Sequence, residues 1–190
     1  MLALATETHI FWITSRAAGT VALLLASLSV CIGLAMGGRL LPRGTRDLRT
    51  THEALSLATM AALAVHALSL LGDSYLRPSL ADVTLPFVSS YGQPWMTIGI
   101  FAGWLTLLLG LSYYLRGRIG VQRWRMLHRF TALAWLLGLV HALGEGTDAG
   151  AAWFLAPLAL VVIPALVLLV VRTFGGVFGG LFAGRAVRRA

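Results

Sequence analysis

The sequence predicts an all-α integral membrane protein, a bundle of five transmembrane helices. Hydrophobic residues make up 58% of the 190 residues and charged residues only 12%, whereas soluble domains average about 25% charged residues. The mean hydropathy is +0.82. The apolar residues fall into five runs, each close to the ~20 residues that a helix needs to cross the hydrocarbon core. This composition excludes an ordinary soluble enzyme, a disordered chain and a disulfide-stapled secreted domain.

The five apolar runs give the predicted helices in chain order. They cover residues 17–38, 52–72, 95–115, 126–144 and 151–171. Arg16 is expected at the very start of the first helix, and the fourth helix opens in an arginine-rich stretch. Residues 73–94 form the longest predicted loop, on the outer face, where we expect them to cover the site nearest that face. Gly175–Gly184 follows the last helix.

The basic residues predict the orientation in the membrane. All 15 are arginine, and the net charge is +8. They cluster after helices one, three and five, whereas the loops at the other side are mainly acidic. Because arginine is enriched in cytoplasmic loops, we predict an outside N-terminus and an inside C-terminus. No basic stripe with interleaved aromatic residues is present, so we expect no nucleic-acid binding. The clusters are Arg39, Arg43, Arg46 and Arg49; Arg116, Arg118, Arg123 and Arg125; and Arg172, Arg185, Arg188 and Arg189.

Four histidines fall within the predicted spans, two on the second helix and two on the fourth. Ionisable side chains are costly in a bilayer and are functional candidates there. His52 and His66 are 14 residues apart, so they share nearly one helix face at levels ~21 Å apart. His128 and His141 are 13 residues apart, which leaves them ~140° short of four full turns in an ideal helix. Tilt, helix distortion or side-chain reach has to make up that difference.

Because both helices run in the same direction, the four histidines form two facing pairs. His52 and His128 lie near the predicted inner end, and His66 and His141 near the outer end. Two facing imidazoles are suited to hold the iron of a b-type haem between helices. A zinc or copper site is disfavoured because the two pairs are ~20 Å apart and lack nearby carboxylates or thiols. The alternative is that each histidine is simply hydrogen-bonded to a neighbouring helix.

Three arginines near the histidines are candidates to bind anionic haem propionates. Arg16 lies on the predicted outer side, where the charge distribution gives no other reason for an arginine. Arg129 and Arg125 lie beside His128, although their inside placement explains Arg125 at least as well.

The His52-x13-His66 and His128-x12-His141 pattern, with one helix between, resembles the ferric reductase-like transmembrane domain family. Arg16 followed by Gly19 on the preceding helix supports the resemblance, which covers residues 15–172. The family includes the membrane parts of ferric reductases and NADPH oxidases, and the bacterial haem subunit of methionine sulfoxide reduction. The resemblance implies transmembrane electron transfer through two b haems, from the inner to the outer face. It also implies an oxidoreductase component in the bacterial plasma membrane.

The sequence departs from family members that oxidise NADPH directly. Residues 1–190 are predicted as a single transmembrane domain without a soluble flavin or nucleotide domain, because no G-x-G-x-x-G follows a strand. Electrons are therefore expected from a separate flavoprotein, a quinol or another reductase, and flavin only through a partner. The acceptor stays open between ferric iron, oxygen and a periplasmic protein.

Two other function classes are compatible with the sequence. The first alternative is a membrane anchor or assembly subunit of a larger redox complex, with Gly175–Gly184 as a contact surface. The second is a transporter that uses histidines as proton relays. A relay predicts carboxylates beside the histidines and a helix broken at the midplane. Glu53 sits beside His52, but no run is interrupted near mid-span.

Overall fold

The computed structural model describes residues 2–38 and 46–186, and the side chains of 10–38 and 47–175. Within those ranges the chain forms helices, turns and loops and no strand. The short stretch Ser112–Leu115 is a 3-10 turn. The helices are α1 Leu2–Gly37, α2 Arg46–Leu71, α3 Leu80–Thr84, α4 Gln93–Leu111, α5 Arg116–Ile119, α6 Val121–His128, α7 Thr131–Glu145 and α8 Ala152–Ala186.

Five stretches are long and apolar enough to cross a membrane, which confirms the predicted integral membrane bundle. The first starts earlier than predicted, because Ile10–Ile13 extend its apolar run upstream of Arg16. Helix α8 continues beyond residue 171, because the glycines that follow lower helix propensity by about 1 kcal/mol each without blocking a helix. The spans are Ile10–Gly37, Asp47–Leu71, Gln93–Ile119, Val121–Glu145 and Ala152–Gly175.

Four of the spans form a ring around a central axis. Helix α1 packs along α2, α2 touches α4, α4 packs along α7, and α7 returns to α1. Helices α2 and α7 therefore lie diagonally opposite each other, without packing closely together. Helix α8 packs outside the ring against α1, where Leu23, Trp135 and Phe154 belong to the buried core between α1, α7 and α8.

The two ends of the bundle differ in charge. The "arginine-rich end" carries Arg49, Arg116, Arg118, Arg123, Arg125 and Arg172, and the "acidic end" carries Asp73, Glu145 and Asp148. The side of the membrane that each end faces stays a prediction. Arg39 and Arg43 of the predicted topology signal, and the side chains of residues 176–184 of the predicted contact surface, lie outside the described residues.

Residues 73–94 are more structured than a plain loop. Helix α3 begins with a capping box, in which Ser79 and Asp82 bond each other's backbone. The hydrogen bonds from Ser79 stabilise the charged carboxylate and lower the pKa of Asp82. The segment then folds back along α4, because the indole Nε1 of Trp104 donates to the carbonyl of Thr84 at 2.8 Å. Trp104 lies 11 residues after Gln93, about 16 Å along the helix axis, and is partly exposed, so this segment runs along the outer side of α4 towards the middle of the span.

Candidate functional site: two histidine pairs

Two histidine pairs lie between the diagonal helices, one near each end of the bundle. The ring centroids of His52 and His128 are 6.2 Å apart, with the ring planes at 87°. Those of His66 and His141 are 6.4 Å apart, with the planes at 70°. These are the two pairs that the sequence spacing predicts. Helices α2 and α7 are otherwise held apart, so the imidazoles bridge the space inside the ring.

A break in the fourth span helps His141 to reach His66. Helix α6 ends at His128 and α7 begins at Thr131. Between them the N–H groups of Arg129 and Phe130 bond carbonyls only three residues back, at 3.3 and 3.0 Å. Each residue in such a tightened turn adds about 20° more rotation than an α-helical residue. The tightening supplies part of the ~140° that an ideal helix lacks.

Three of the four histidines are oriented by a backbone carbonyl of a neighbouring helix. Nδ1 of His52 lies 2.9 Å from the Ser29 carbonyl, and Nδ1 of His66 lies 2.8 Å from the Ser15 carbonyl. Nδ1 of His141 lies 2.9 Å from the Trp95 carbonyl. A carbonyl oxygen only accepts, so Nδ1 carries the proton in each case. The lone pair of Nε2 is then available to a metal ion.

The same three rings rest on glycines of the neighbouring helices. A Cβ atom at Gly33 would lie 3.0 Å from the His52 ring, and one at Gly19 would lie 2.9 Å from the His66 ring. A Cβ at Gly99 would lie only 2.6 Å from His141. Real Cβ atoms essentially never approach as closely as they would at Gly19 and Gly99, so these two positions need glycine for the rings to sit where they do. At Gly33 the contact would be tight, and the His52 ring would have to move by a few tenths of an ångström.

Sequence reasoning missed most of this supporting structure, although helix α1 carries a signal for it. Ser15 and Gly19 recur as Ser29 and Gly33, with the same 14-residue spacing as His52 and His66. Since α1 and α2 run antiparallel, Ser15 and Gly19 meet His66, and Ser29 and Gly33 meet His52. A serine-x3-glycine repeat in register with paired histidines is therefore a usable sequence signal.

His128 is held differently from the other three. Its Nδ1 is buried and has no hydrogen-bond partner in the part of the chain that the structure describes. Its ring instead stacks on the indole of Trp124, with centroids 4.9 Å apart and an interplanar angle of 28°.

The donor set fits a metal ion held axially by two neutral imidazoles. A metal–imidazole bond is about 2 Å long, so two imidazoles on opposite sides of one ion have ring centres roughly 6 Å apart, as both pairs do. Among the described residues no group of three or more His, Cys, Asp or Glu side chains converges. Within those residues this argues against an all-protein tetrahedral site. An ion held by either histidine pair would need its other ligands from a cofactor such as a porphyrin.

The candidate arginines lie beside the two pairs. Arg16 lies inside α1 rather than at its start, directly after Ser15. Its guanidinium forms an ion pair with Asp148 and stacks over the Trp12 ring at 4.0 Å, so its charge is neutralised within the acidic end. Arg129 follows His128 and is exposed at the arginine-rich end, as is Arg125.

Comparison with known proteins identifies a family. The sequence model of the family described as "ferric reductase like transmembrane component" matches residues 18–139 of this chain. The matched range contains His52, His66 and His128 and ends two residues before His141. Searches of curated proteins and of solved structures find no match.

Proposed function

Because the chain belongs to the family of ferric reductase-like transmembrane components, its role is in membrane redox chemistry, and we propose that it carries electrons across the membrane through two b-type haems. The observation that carries this proposal is the pair of imidazole–imidazole separations, 6.2 and 6.4 Å, at two levels of one bundle. Structural histidines that merely hydrogen-bond a neighbouring helix have no reason to face each other twice at the separation of an axial ligand pair.

In this proposal each histidine contributes Nε2 to iron. His52 and His128 hold one haem at the arginine-rich end, and His66 and His141 hold the other at the acidic end. A bound haem supplies a one-electron redox centre at each level. The serine and tryptophan carbonyls keep three Nδ1 atoms protonated, which fixes the tautomer and turns Nε2 towards the centre of the bundle.

We assign the anionic propionates to the arginines beside each pair. Arg16 has five N–H donors, so it can keep Asp148 and bind a carboxylate of the acidic-end haem at once. Arg129 is exposed at the other end, where it can bind a carboxylate of the second haem. In a low-dielectric setting such charge-assisted hydrogen bonds are stronger than neutral ones.

The direction of transfer follows from the predicted orientation. With the arginine-rich end inside, the donor is a separate cytoplasmic flavoprotein, quinol or reductase. The acceptor is then ferric iron, oxygen or a periplasmic protein on the outer face of a bacterial plasma membrane. The exposed Arg118, Arg123 and Arg125 favour an acidic partner surface on the donor side.

A histidine relay is less well supported. Glu53, the carboxylate beside His52, accepts a hydrogen bond from the Tyr114 hydroxyl at 3.0 Å and is thus engaged with the 3-10 turn that follows α4. The break in the fourth span lies near the arginine-rich end rather than at the membrane midplane where a transporter site is expected.

The testing experiment is a reduced-minus-oxidised absorption spectrum of the purified chain with a haem-to-protein ratio. We expect two low-spin b haems per chain. His66→Ala and His141→Ala should each reduce the ratio from two to one. Absence of haem from well-folded protein produced with ample haem supply would overturn the proposal.

A further inference from the structure

The four imidazoles are not oriented in the same way. His52, His66 and His141 each donate Nδ1–H to a carbonyl of α1 or α4. The Nδ1 of His128 is buried but has no acceptor among the described residues. The two histidine pairs therefore differ: one has two hydrogen-bonded ligands and the other has one.

The indole of Trp124 packs against the His128 ring and is the aromatic neighbour that holds it. Trp124 lies one turn before His128 on α6, so its ring covers the neighbouring surface of the helix. The two rings stack with centroids 4.9 Å apart. The interplanar angle of 28° shows that Trp124 contacts His128 through its ring face, and the indole Nε1 is buried without a partner in the described part of the chain.

Trp124 is itself fixed by the adjacent span. The Tyr113 ring meets it edge-on, with centroids 5.8 Å apart. Arg116 covers the Tyr113 ring at 3.9 Å and donates to the Tyr113 carbonyl at 2.8 Å. The 3-10 turn Ser112–Leu115 and the following Arg116 thus hold Tyr113 against Trp124, and Trp124 in turn packs against His128.

We propose that Trp124 is the positioning residue of His128 and makes the arginine-rich-end haem electronically distinct from the other. The inference rests on the proposed haem function. A hydrogen bond from Nδ1–H to an acceptor raises the basicity of an imidazole ligand. His128 lacks that bond, so it donates less electron density, which favours reduced iron. By packing on the His128 ring, Trp124 holds it in an orientation in which Nδ1 has no acceptor, and so keeps the midpoint potential of this site higher than a fully hydrogen-bonded pair would have.

The stack also fixes the angle between the His52 and His128 rings, which would both hold the haem iron. The His52 and His128 planes are nearly perpendicular, at 87°. With no hydrogen bond at Nδ1, ring rotation of His128 is opposed mainly by the Trp124 face. The electron paramagnetic resonance signal of low-spin ferric haem depends on this angle, so it reports the position of His128 independently of activity.

The experiment compares Trp124→Leu, Trp124→Phe and the control Trp153→Leu, each in the full chain. Trp153 is 61% exposed on α8, outside the ring, so its replacement removes an indole without touching a histidine. Each variant is also combined with His141→Ala, which leaves only the arginine-rich-end haem. The readouts are haem content, redox titration and the resonance spectrum.

For Trp124→Leu we expect one of the two midpoint potentials to fall and one resonance signal to change, because water reaches Nδ1 and the ring turns. Selective loss of that haem, from two per chain to one, supports the same role. Trp124→Phe keeps an aromatic face and should restore both wild-type signals, and Trp153→Leu should not change them.

Two outcomes overturn the inference while leaving the haem function intact. One is a Trp124→Leu protein with two haems, unchanged potentials and unchanged resonance signals. The other is a Trp124→Phe protein that behaves like Trp124→Leu, which would exclude the stacked face as the cause. Wild-type protein without haem would instead overturn the proposed function itself.

Discussion

At the scale of single residues, the glycines beneath the histidine rings control where the ligands sit. Gly19, Gly33 and Gly99 each leave room that a methyl group would take from an imidazole. Protein interiors are close-packed, so an added methyl group must displace a neighbour. Here the displaced neighbour is a proposed haem ligand, so a small change in volume would become a change in coordination.

Gly99→Ala is expected to remove the acidic-end haem and to spare the other. The new Cβ would lie 2.6 Å from His141 Nδ1, in the path of its hydrogen bond to Trp95. Haem content should fall from two per chain to one. Gly103→Ala is the matched control, since a Cβ there meets nothing within 4 Å. Equal haem content in both variants would show that the glycine does not limit the site.

Arg16 and Asp148 are expected to shift the acidic-end haem in opposite directions. Arg16→Ala removes a positive charge beside the haem, so the reduced form is less stable and the midpoint potential falls. Asp148→Asn removes the compensating negative charge, so the potential rises. Each shift should be on the order of tens of millivolts, since partly exposed ion pairs contribute about 1 kcal/mol or less. Redox titration checks this, with two haems retained in both variants. Shifts of the same sign would contradict the assignment.

At the scale of elements, the fourth span has features that the sequence predicts and features that it does not. Apolar run length predicted all five spans, and spacing predicted which histidines meet. The break at Arg129–Phe130 was not predicted, because neither residue is a helix breaker; only the expected angular mismatch between His128 and His141 indicated a distortion. The carbonyls that orient His52, His66 and His141 were also beyond prediction, since every residue carries a carbonyl and helix rotation decides which one is in reach.

The register of this span is testable by inserting one residue. An alanine inserted between Ala132 and Leu133 turns His141 by about 100° and moves it about 1.5 Å along the axis. We expect the acidic-end haem to be lost, while His128, before the insertion, keeps its haem. An alanine inserted between Gly150 and Ala151, in the connection to α8, is the control and should retain two haems. A two-haem spectrum from the first variant would show that His141 does not need this register to hold its haem.

At the scale of the whole molecule, the ring of four helices joins two otherwise separate sites. Helix α2 and the α6–α7 span each contribute one histidine to each level. Helices α1 and α4 supply the carbonyls and glycines that hold His52, His66 and His141, whereas Trp124 packs against His128. The contacts that orient each histidine pair are made at the level of that pair. In the proposed function the two levels would therefore bind haem independently and act in series across the membrane, with the levels ~21 Å apart along α2.

This arrangement predicts that the loss of either haem interrupts transmembrane electron transfer. In vesicles that contain the wild-type protein, trapped ferricyanide should be reduced when an impermeant reductant is added outside. His66→Ala or His141→Ala should slow this reduction by more than about tenfold, because electron transfer weakens steeply with the distance that the missing haem leaves. The haem at the arginine-rich end should still be reducible in detergent. Trp153→Leu vesicles should match the wild type, and protein-free vesicles give the leak rate. Wild-type rates in either histidine variant would show that electrons cross by another route.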